Sequence, residues 1–179
     1  MTVSKLPEKK HYYVRATKVV PGSWSRSLLP RLVSLSLTRN QLRSVDAIES
    51  SCGGGGRRLE TLDVGHNLID ALPRHFGRSM PCLTSLVLTG NALRSLPDAV
   101  GRLARLRSLE CAANKLTRLP ATVADLAELT VLDVSANSLA ALPDNIGQLA
   151  NLEQLRASGN KLTAVSRSIR VALQGQLEV

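Results

Sequence analysis

LTSLVLTGNALRSLPDAVGRLAR, residues 83–105, carries the pattern that decides the fold. Its apolar residues stand eight, five and three residues before Asn91, and two and five residues after it. The same five offsets are apolar around five further asparagines: Asn40, Asn67, Asn114, Asn137 and Asn160. Cys111 and Ala157 are the least hydrophobic members of this set. The asparagines are separated by 27, 24, 23, 23 and 23 residues, so the chain contains six copies of one structural unit, numbered here as repeats 1 to 6.

Each repeat predicts a short strand, a turn and a return segment. In LxxLxL the last two leucines alternate with their neighbours, so an extended chain points them together into a core. The asparagine that follows is predicted to turn inward and to bond backbone groups of neighbouring repeats. A proline six residues later marks the start of the return segment, and an apolar residue nine residues later anchors it in a short 3₁₀ or helical turn. The prolines are Pro73, Pro97, Pro120 and Pro143, and the anchors are Phe76, Val100, Val123, Ile146 and Ile169.

This pattern, LxxLxLxxNxLxxLPxxIGxLxx, resembles that of leucine-rich-repeat proteins. Residues 83–105 and 129–151 match it almost letter for letter. The 23-residue period with a central Leu-Pro resembles the Ras-group subclass, which includes Ras-suppressor proteins and plant intracellular Ras-group repeat proteins. The resemblance implies an α/β fold, a leucine-rich-repeat solenoid. This is a right-handed superhelix with a parallel concave β-sheet and short helical or 3₁₀ convex segments.

The repeat domain is predicted to span residues 32–179, with six repeats and an incomplete C-terminal one. Leu177, Glu178 and Val179 resemble the first three residues of a further LxxL strand. Repeat 1 is four residues too long, which matches the glycine run at residues 53–56 and predicts a flexible insertion there.

Residues 1–31 precede the repeats and are strongly basic, with seven Lys and Arg residues against Glu8 alone. They also hold three of the four aromatic residues, Tyr12, Tyr13 and Trp24. The stretch HYYVRATKVV, residues 11–20, predicts a strand. Two interpretations stay open for this segment: a cap over repeat 1, or a basic docking arm for RNA, an anionic membrane or an acidic partner.

The strand residues that point away from the core form three rows, six, four and two residues before the asparagines. The rows are Ser34, Thr61, Ser85, Ser108, Val131 and Gln154; Ser36, Asp63, Val87, Glu110, Asp133 and Arg156; and Thr38, Gly65, Thr89, Ala112, Ser135 and Ser158. Together with His66 they predict a smooth, weakly acidic trough that binds a protein partner. A partner presenting Lys or Arg would gain on-rate and specificity there. The alternative is that aspartate belongs to the ordinary repeat pattern and has no binding role.

A second candidate surface is the edge just after the asparagines, where Arg43, Arg94, Lys115, Arg118 and Lys161 fall. Further arginines lie on the return segments: Arg74, Arg78, Arg102 and Arg105. Solvated arginines explain both sets equally well. Nucleic acid is not the favoured partner, because no aromatic interleaving or RNA-binding motif supports base readout.

No catalytic, metal or cofactor site is predicted. The three histidines are far apart, and the cysteines Cys52, Cys82 and Cys111 form no CxxC pair. Sparse, unpaired cysteines and the lack of an apolar stretch of about 20 residues favour an intracellular, cytoplasmic protein without a membrane span.

The predicted function is a non-enzymatic scaffold or adaptor in intracellular signalling, monomeric or packed through an open C-terminal edge. The alternative is a structural subunit of a large ribonucleoprotein or cytoskeletal assembly that uses the basic segment 1–31.

Overall fold

The computed structural model describes residues 32–48 and 58–163 in full, and the backbone of three strands outside those ranges. In this described part, nine strands form one sheet in chain order. They are β1 (Thr2–Lys5), β2 (His11–Arg15), β3 (Ser34–Ser36), β4 (Thr61–Asp63), β5 (Ser85–Val87), β6 (Ser108–Glu110), β7 (Val131–Asp133), β8 (Gln154–Arg156) and β9 (Leu177–Glu178). Strands β1 and β2 are antiparallel, and every later neighbour pair is parallel. The predicted solenoid with a parallel sheet is confirmed.

Strands β3 to β8 come one from each repeat and pair at equal offsets. Leu35 lies opposite Leu62, and Leu62 opposite Leu86, so each repeat stacks on the previous one without a register shift. The central leucine of each strand is fully buried and its two neighbours remain mostly half-exposed. A three-residue strand therefore presents two side chains outward, which produces the long rows of the sheet face.

The core is a column built from the apolar offsets. In the described part, the residues eight, five and three before each asparagine, and five after it, are all buried. Among the residues two positions after the asparagines, Leu42 and Leu162 of the first and last repeats are only partly buried. Fully burying one leucine contributes about 1.5–3 kcal/mol, so the stability of each repeat depends on its neighbours. Val165 and Ile169 lie outside the described residues.

The return segments of repeats 3, 4 and 5 form the predicted 3₁₀ turns: Asp98–Arg102, Ala121–Asp125 and Asp144–Gln148. Each begins directly after its proline, and each buries its anchor, Val100, Val123 or Ile146. Repeat 2 differs. Its longer return segment, residues 74–79, forms successive turns around a buried Phe76.

At the N-terminal end of the sheet, the strand expected within residues 11–20 is present as β2. It pairs in parallel with β3, His11 opposite Ser34, and β1 adds an antiparallel strand beyond it. The described part of segment 1–31 thus extends the sheet, which favours the interpretation as a cap. The domain boundary at residue 31 stays a prediction. The turn expected at residues 21–22 and the glycine run at 53–56 lie outside the described residues.

At the other end, β9 extends the sheet beyond β8. Leu177 pairs with Leu155 and Glu178 with Arg156. Leu155 holds the second apolar position of its strand motif, so Leu177 holds the second position too, and not the first as the sequence alignment expected. The backbone pairing of β9 with β8 determines this position of Leu177.

Candidate protein-binding face

The asparagines tie neighbouring repeats together through their side-chain amides. The Asn137 Nδ2 atom donates to the Cys111 carbonyl of repeat 4 at 3.0 Å and to the Val134 carbonyl of its own repeat at 3.0 Å. Its Oδ1 atom accepts the Leu116 backbone N–H at 2.9 Å. Asn67, Asn91, Asn114 and Asn160 repeat this arrangement with the corresponding groups. Asn40 donates within its own repeat, to the Leu37 and Thr38 carbonyls.

The residue before each asparagine turns the chain sharply at the end of the strand. All six have a positive φ: Arg39, His66, Gly90, Ala113, Ala136 and Gly159, between 50° and 69°. Glycine adopts this conformation freely, whereas a residue with a Cβ gives up about 1–2 kcal/mol. The side-chain hydrogen bonds of the following asparagine offset this cost, because they form only when the chain turns at this position.

The three rows expected on the sheet face lie where the sequence placed them. The rows six and four residues before the asparagines lie on the strands in register. Asp63, Val87 and Glu110 are therefore neighbours, as are Glu110 and Asp133. Most are half-exposed; Ser36 and Gly65 are buried, and Gln154, Arg156 and Ser158 are exposed. The face is therefore continuous from β3 to β8, and the exposed residues of the three rows all lie in repeat 6.

Two of the three acids on this face bond their own turn. One Asp63 oxygen accepts the Gly65 backbone N–H at 2.9 Å, and the other accepts the Ser36 hydroxyl at 3.1 Å. One Asp133 oxygen accepts both the backbone N–H and the hydroxyl of Ser135. These bonds give both aspartates a structural role at the end of the strand. A carboxylate accepts about four hydrogen bonds, so each retains capacity for a partner.

Glu110 is the acid whose headgroup is least committed to the fold. Its carboxylate accepts one hydrogen bond, from the Ser108 hydroxyl at 3.2 Å. Asp133, by contrast, also faces the Arg156 guanidinium at 3.9 Å. The negative charge available to a partner is therefore centred on β6.

An exposed apolar side chain that the sequence analysis missed stands at the edge of this face. Leu68 is 50% exposed, directly after Asn67. The equivalent residues of the other repeats are Gln41, Ala92, Lys115, Ser138 and Lys161. A leucine at a position where the other repeats have polar residues or alanine is the sequence signal that could have identified Leu68. The imidazole of His66 lies nearby over Gly90, where an added Cβ would stand 2.6 Å from His66 Nδ1.

Within the described residues, no group of three His, Cys, Asp or Glu side chains could hold a metal ion. Cys111, directly after β6, stands where the other repeats have a core aliphatic residue, and it is fully buried. Burial, with smaller contributions from Asp133 and Glu110, raises the pKa of its thiol far above the ordinary value. Cys111 is therefore a neutral core residue at physiological pH.

Comparison with known protein families assigns the repeats to one family. The family model described as "Leucine rich repeat" matches residues 57–116 and 105–162, which together cover more than half of the chain. The chain is a leucine-rich-repeat protein. The match does not choose a subclass, and the Ras-group assignment stays a prediction. Across the described residues, no helix is long and apolar enough to cross a membrane.

Curated relatives of this leucine-rich-repeat chain include two "U2 small nuclear ribonucleoprotein A'" proteins. The one from Mycosarcoma maydis is 32% identical over 87 residues, which are 46% of this chain and 35% of that protein. The one from Homo sapiens is 35% identical over 81 residues, 45% of this chain and 29% of that protein. The chain thus spans about a third of the length of these relatives.

Solved structures show the same fold. A leucine-rich-repeat protein of Leptospira interrogans superposes with a TM-score of 0.73 at 30% identity, over 81% of this chain and 36% of that one. The Arabidopsis receptor kinase HAESA, solved with a peptide hormone and a co-receptor, gives a TM-score of 0.64 at 30% identity. This match covers 73% of this chain and 22% of the receptor.

Proposed function

We propose that this chain is a non-enzymatic interaction module that binds a protein partner on its sheet face. The observation that carries the proposal is the continuous, half-exposed surface from β3 to β8. At its centre the Glu110 carboxylate accepts a single hydrogen bond, from Ser108. A repeat fold that serves protein binding in general supports it. Leu68 at the edge supplies an exposed apolar contact, which a partner could bury.

The partner that fits this face presents Lys or Arg side chains opposite β6. Asp63 and Asp133 use part of their capacity within the fold, so their contribution to such a partner is secondary to that of Glu110. A role in intracellular signalling and a location in the cytoplasm follow from the identity of this partner, and both are part of the proposal.

Glu110→Arg is expected to abolish capture of the partner, because it places a like charge against the partner's cations and a long side chain in the face. The measurement is affinity purification of the tagged chain from cells, with quantitative mass spectrometry. Glu153→Arg is the matched control, since Glu153 is exposed, lies just before β8 and makes the same charge change away from the face. Equal recovery of every protein by the two variants would remove binding from the sheet face.

A second candidate function is a subunit of a ribonucleoprotein assembly. It is favoured by the name of the curated relatives and by the basic segment 1–31. This candidate places the chain in the nucleus, in contrast to the cytoplasmic expectation.

Its test neutralises the segment without deleting it, because β2 covers the edge of β3. Lys5, Lys9, Lys10 and Lys18, all changed to Gln, are expected to reduce co-purified RNA and to flatten its dependence on salt. The control removes four charges from exposed arginines elsewhere: Arg58, Arg78, Arg102 and Arg105 to Gln. The candidate fails when both variants recover as much RNA as the unchanged chain.

A further inference from the structure

The positive charge of the described residues is concentrated on one edge of the solenoid. The exposed positions one, three and four residues after the asparagines form this edge, here called the basic rim. It carries five cations and the single acid Asp70; the cations are Arg43, Arg94, Lys115, Arg118 and Lys161.

The other surfaces do not share this excess. Within the described residues, the sheet face carries three acids against Arg156. The opposite edge, seven and nine residues before the asparagines, is balanced between Arg58, Arg105 and Arg107 and Glu60, Glu128 and Glu153. The charge is therefore segregated by position in the repeat, although the repeat pattern itself requires no charge at any of these positions.

A groove of about 580 Å³ opens beside the basic rim, across repeats 2, 3 and 4. Arg74 and Arg118 line it together with Ser95, Pro97, Asp98 and Pro120. Neither arginine forms a hydrogen bond or an ion pair with the rest of the described chain. Arg74 and Arg118, from different repeats, thus line one open space together with Asp98, and neither forms an ion pair within the described residues.

We propose that this groove and the basic rim bind the phosphate backbone of a single-stranded nucleic acid. The planar guanidinium of arginine donates two parallel hydrogen bonds to one phosphate, and the exposed Ser95 hydroxyl adds a further donor. The described residues expose no aromatic ring for base stacking, so recognition is of the backbone and independent of sequence.

An acidic peptide fits the groove less well. Protein-binding hot spots are Trp, Tyr or Arg side chains in fully desolvated pockets, whereas Arg74 and Arg118 are exposed. Leu96 and Leu119 line this groove but are only 5% and 6% exposed, and the rest of the lining is polar, proline or the small Ala121. Phosphodiester chemistry is common to RNA and DNA, so both are compared in the test. The inference deepens the ribonucleoprotein candidate by naming a surface distinct from segment 1–31.

Asp98 supplies a test that strengthens binding. Asp98 is exposed and lines the groove, and its negative charge repels a phosphate bound there. Asp98→Asn keeps the size of the side chain and removes the charge, so affinity for the nucleic acid is expected to rise about threefold to tenfold. Arg74→Gln with Arg118→Gln is expected to weaken affinity at least about tenfold and to lower the slope of log K against log salt by about 1.4.

The experiment measures fluorescence anisotropy of the full chain with labelled oligouridylate, oligothymidylate and polyglutamate over a range of salt concentrations. Arg58→Gln with Arg105→Gln, on the opposite edge, is the matched control and is expected to bind like the unchanged chain. Opposite shifts in the Asp98 and the double-arginine variants with either oligonucleotide support the proposal. Equal oligonucleotide binding by the double-arginine variant and its control, or binding of polyglutamate alone, overturns it.

The lysine variant of segment 1–31 separates this inference from the ribonucleoprotein candidate. Loss of nucleic-acid binding in that variant alone, with the rim variants unchanged, would place binding on the segment. The candidate would then stand, and the basic rim would be ruled out as its surface.

Discussion

Asn137→Leu is expected to lower the free energy of unfolding by about 3 kcal/mol. The side chain is buried and joins repeats 4 and 5 through one donated bond, to the Cys111 carbonyl, and one accepted bond, from the Leu116 N–H. It also donates to the Val134 and Ser135 carbonyls of its own repeat. The carbonyls of Cys111 and Val134 keep a second donor, Asn114 or Asn160, after the substitution. The Leu116 N–H has no such substitute and is left unsatisfied beside the core, which accounts for most of the loss.

Urea unfolding followed by circular dichroism measures this effect, with the Asn151→Leu variant as the control. Asn151 is an exposed asparagine on a return segment, and its Nδ2 atom donates one bond, to the Ala127 carbonyl at 2.8 Å. Its replacement is expected to change the free energy of unfolding by less than about 1 kcal/mol. The Asn151 bond also connects repeats 4 and 5, but it is exposed. Equal destabilisation by the two substitutions would show that the buried Asn137 contributes no more than an exposed bond between repeats.

The contrast between these asparagines shows what the repeat pattern reveals. Recurrence at a constant offset from the leucines marks Asn137 as buried and bridging, whereas Asn151 has no such recurrence. The apolar columns and the strand register follow from the same periodicity, because a parallel sheet of equal repeats aligns equal offsets. That is why the strand register of these rows could be predicted from the sequence, while their role in binding stays a prediction.

The backbone conformation of the turns could not be predicted from the repeat pattern. The positive φ of Arg39, Ala113 and Ala136 contradicts the preference of those residues, and it arises because each precedes a bridging asparagine. The hydrogen bonds of Asp63 and Asp133 likewise depend on that turn. Sequence reasoning therefore located three acids on one row, but it could not tell the committed carboxylates from Glu110.

Phe76→Ala is expected to destabilise the chain by about 3–5 kcal/mol. Phe76 is the only phenylalanine in the sequence and is fully buried. It anchors the return segment of repeat 2, which contains an extra residue and forms turns closed by the bonds from Phe76 N–H to Pro73 and from Met80 N–H to Gly77. A longer segment encloses more space, and Phe76 and Met80 fill it.

A graded series tests that volume is the cause. Phe76→Val installs the residue that serves as anchor in repeats 3 and 4, where the segment is a regular 3₁₀ turn. If the extra residue enlarges the site, valine leaves a cavity and is expected to cost about 1–3 kcal/mol, at a position where the family pattern accepts it. Val123→Ala in repeat 4 is the comparison, with an expected loss of about 1–2 kcal/mol for its smaller change in volume. A Phe76→Val variant as stable as the unchanged chain would mean that the turns of repeat 2 collapse onto a smaller anchor. Phe76, the single aromatic residue among the described core residues, would then reflect no packing requirement of the longer repeat.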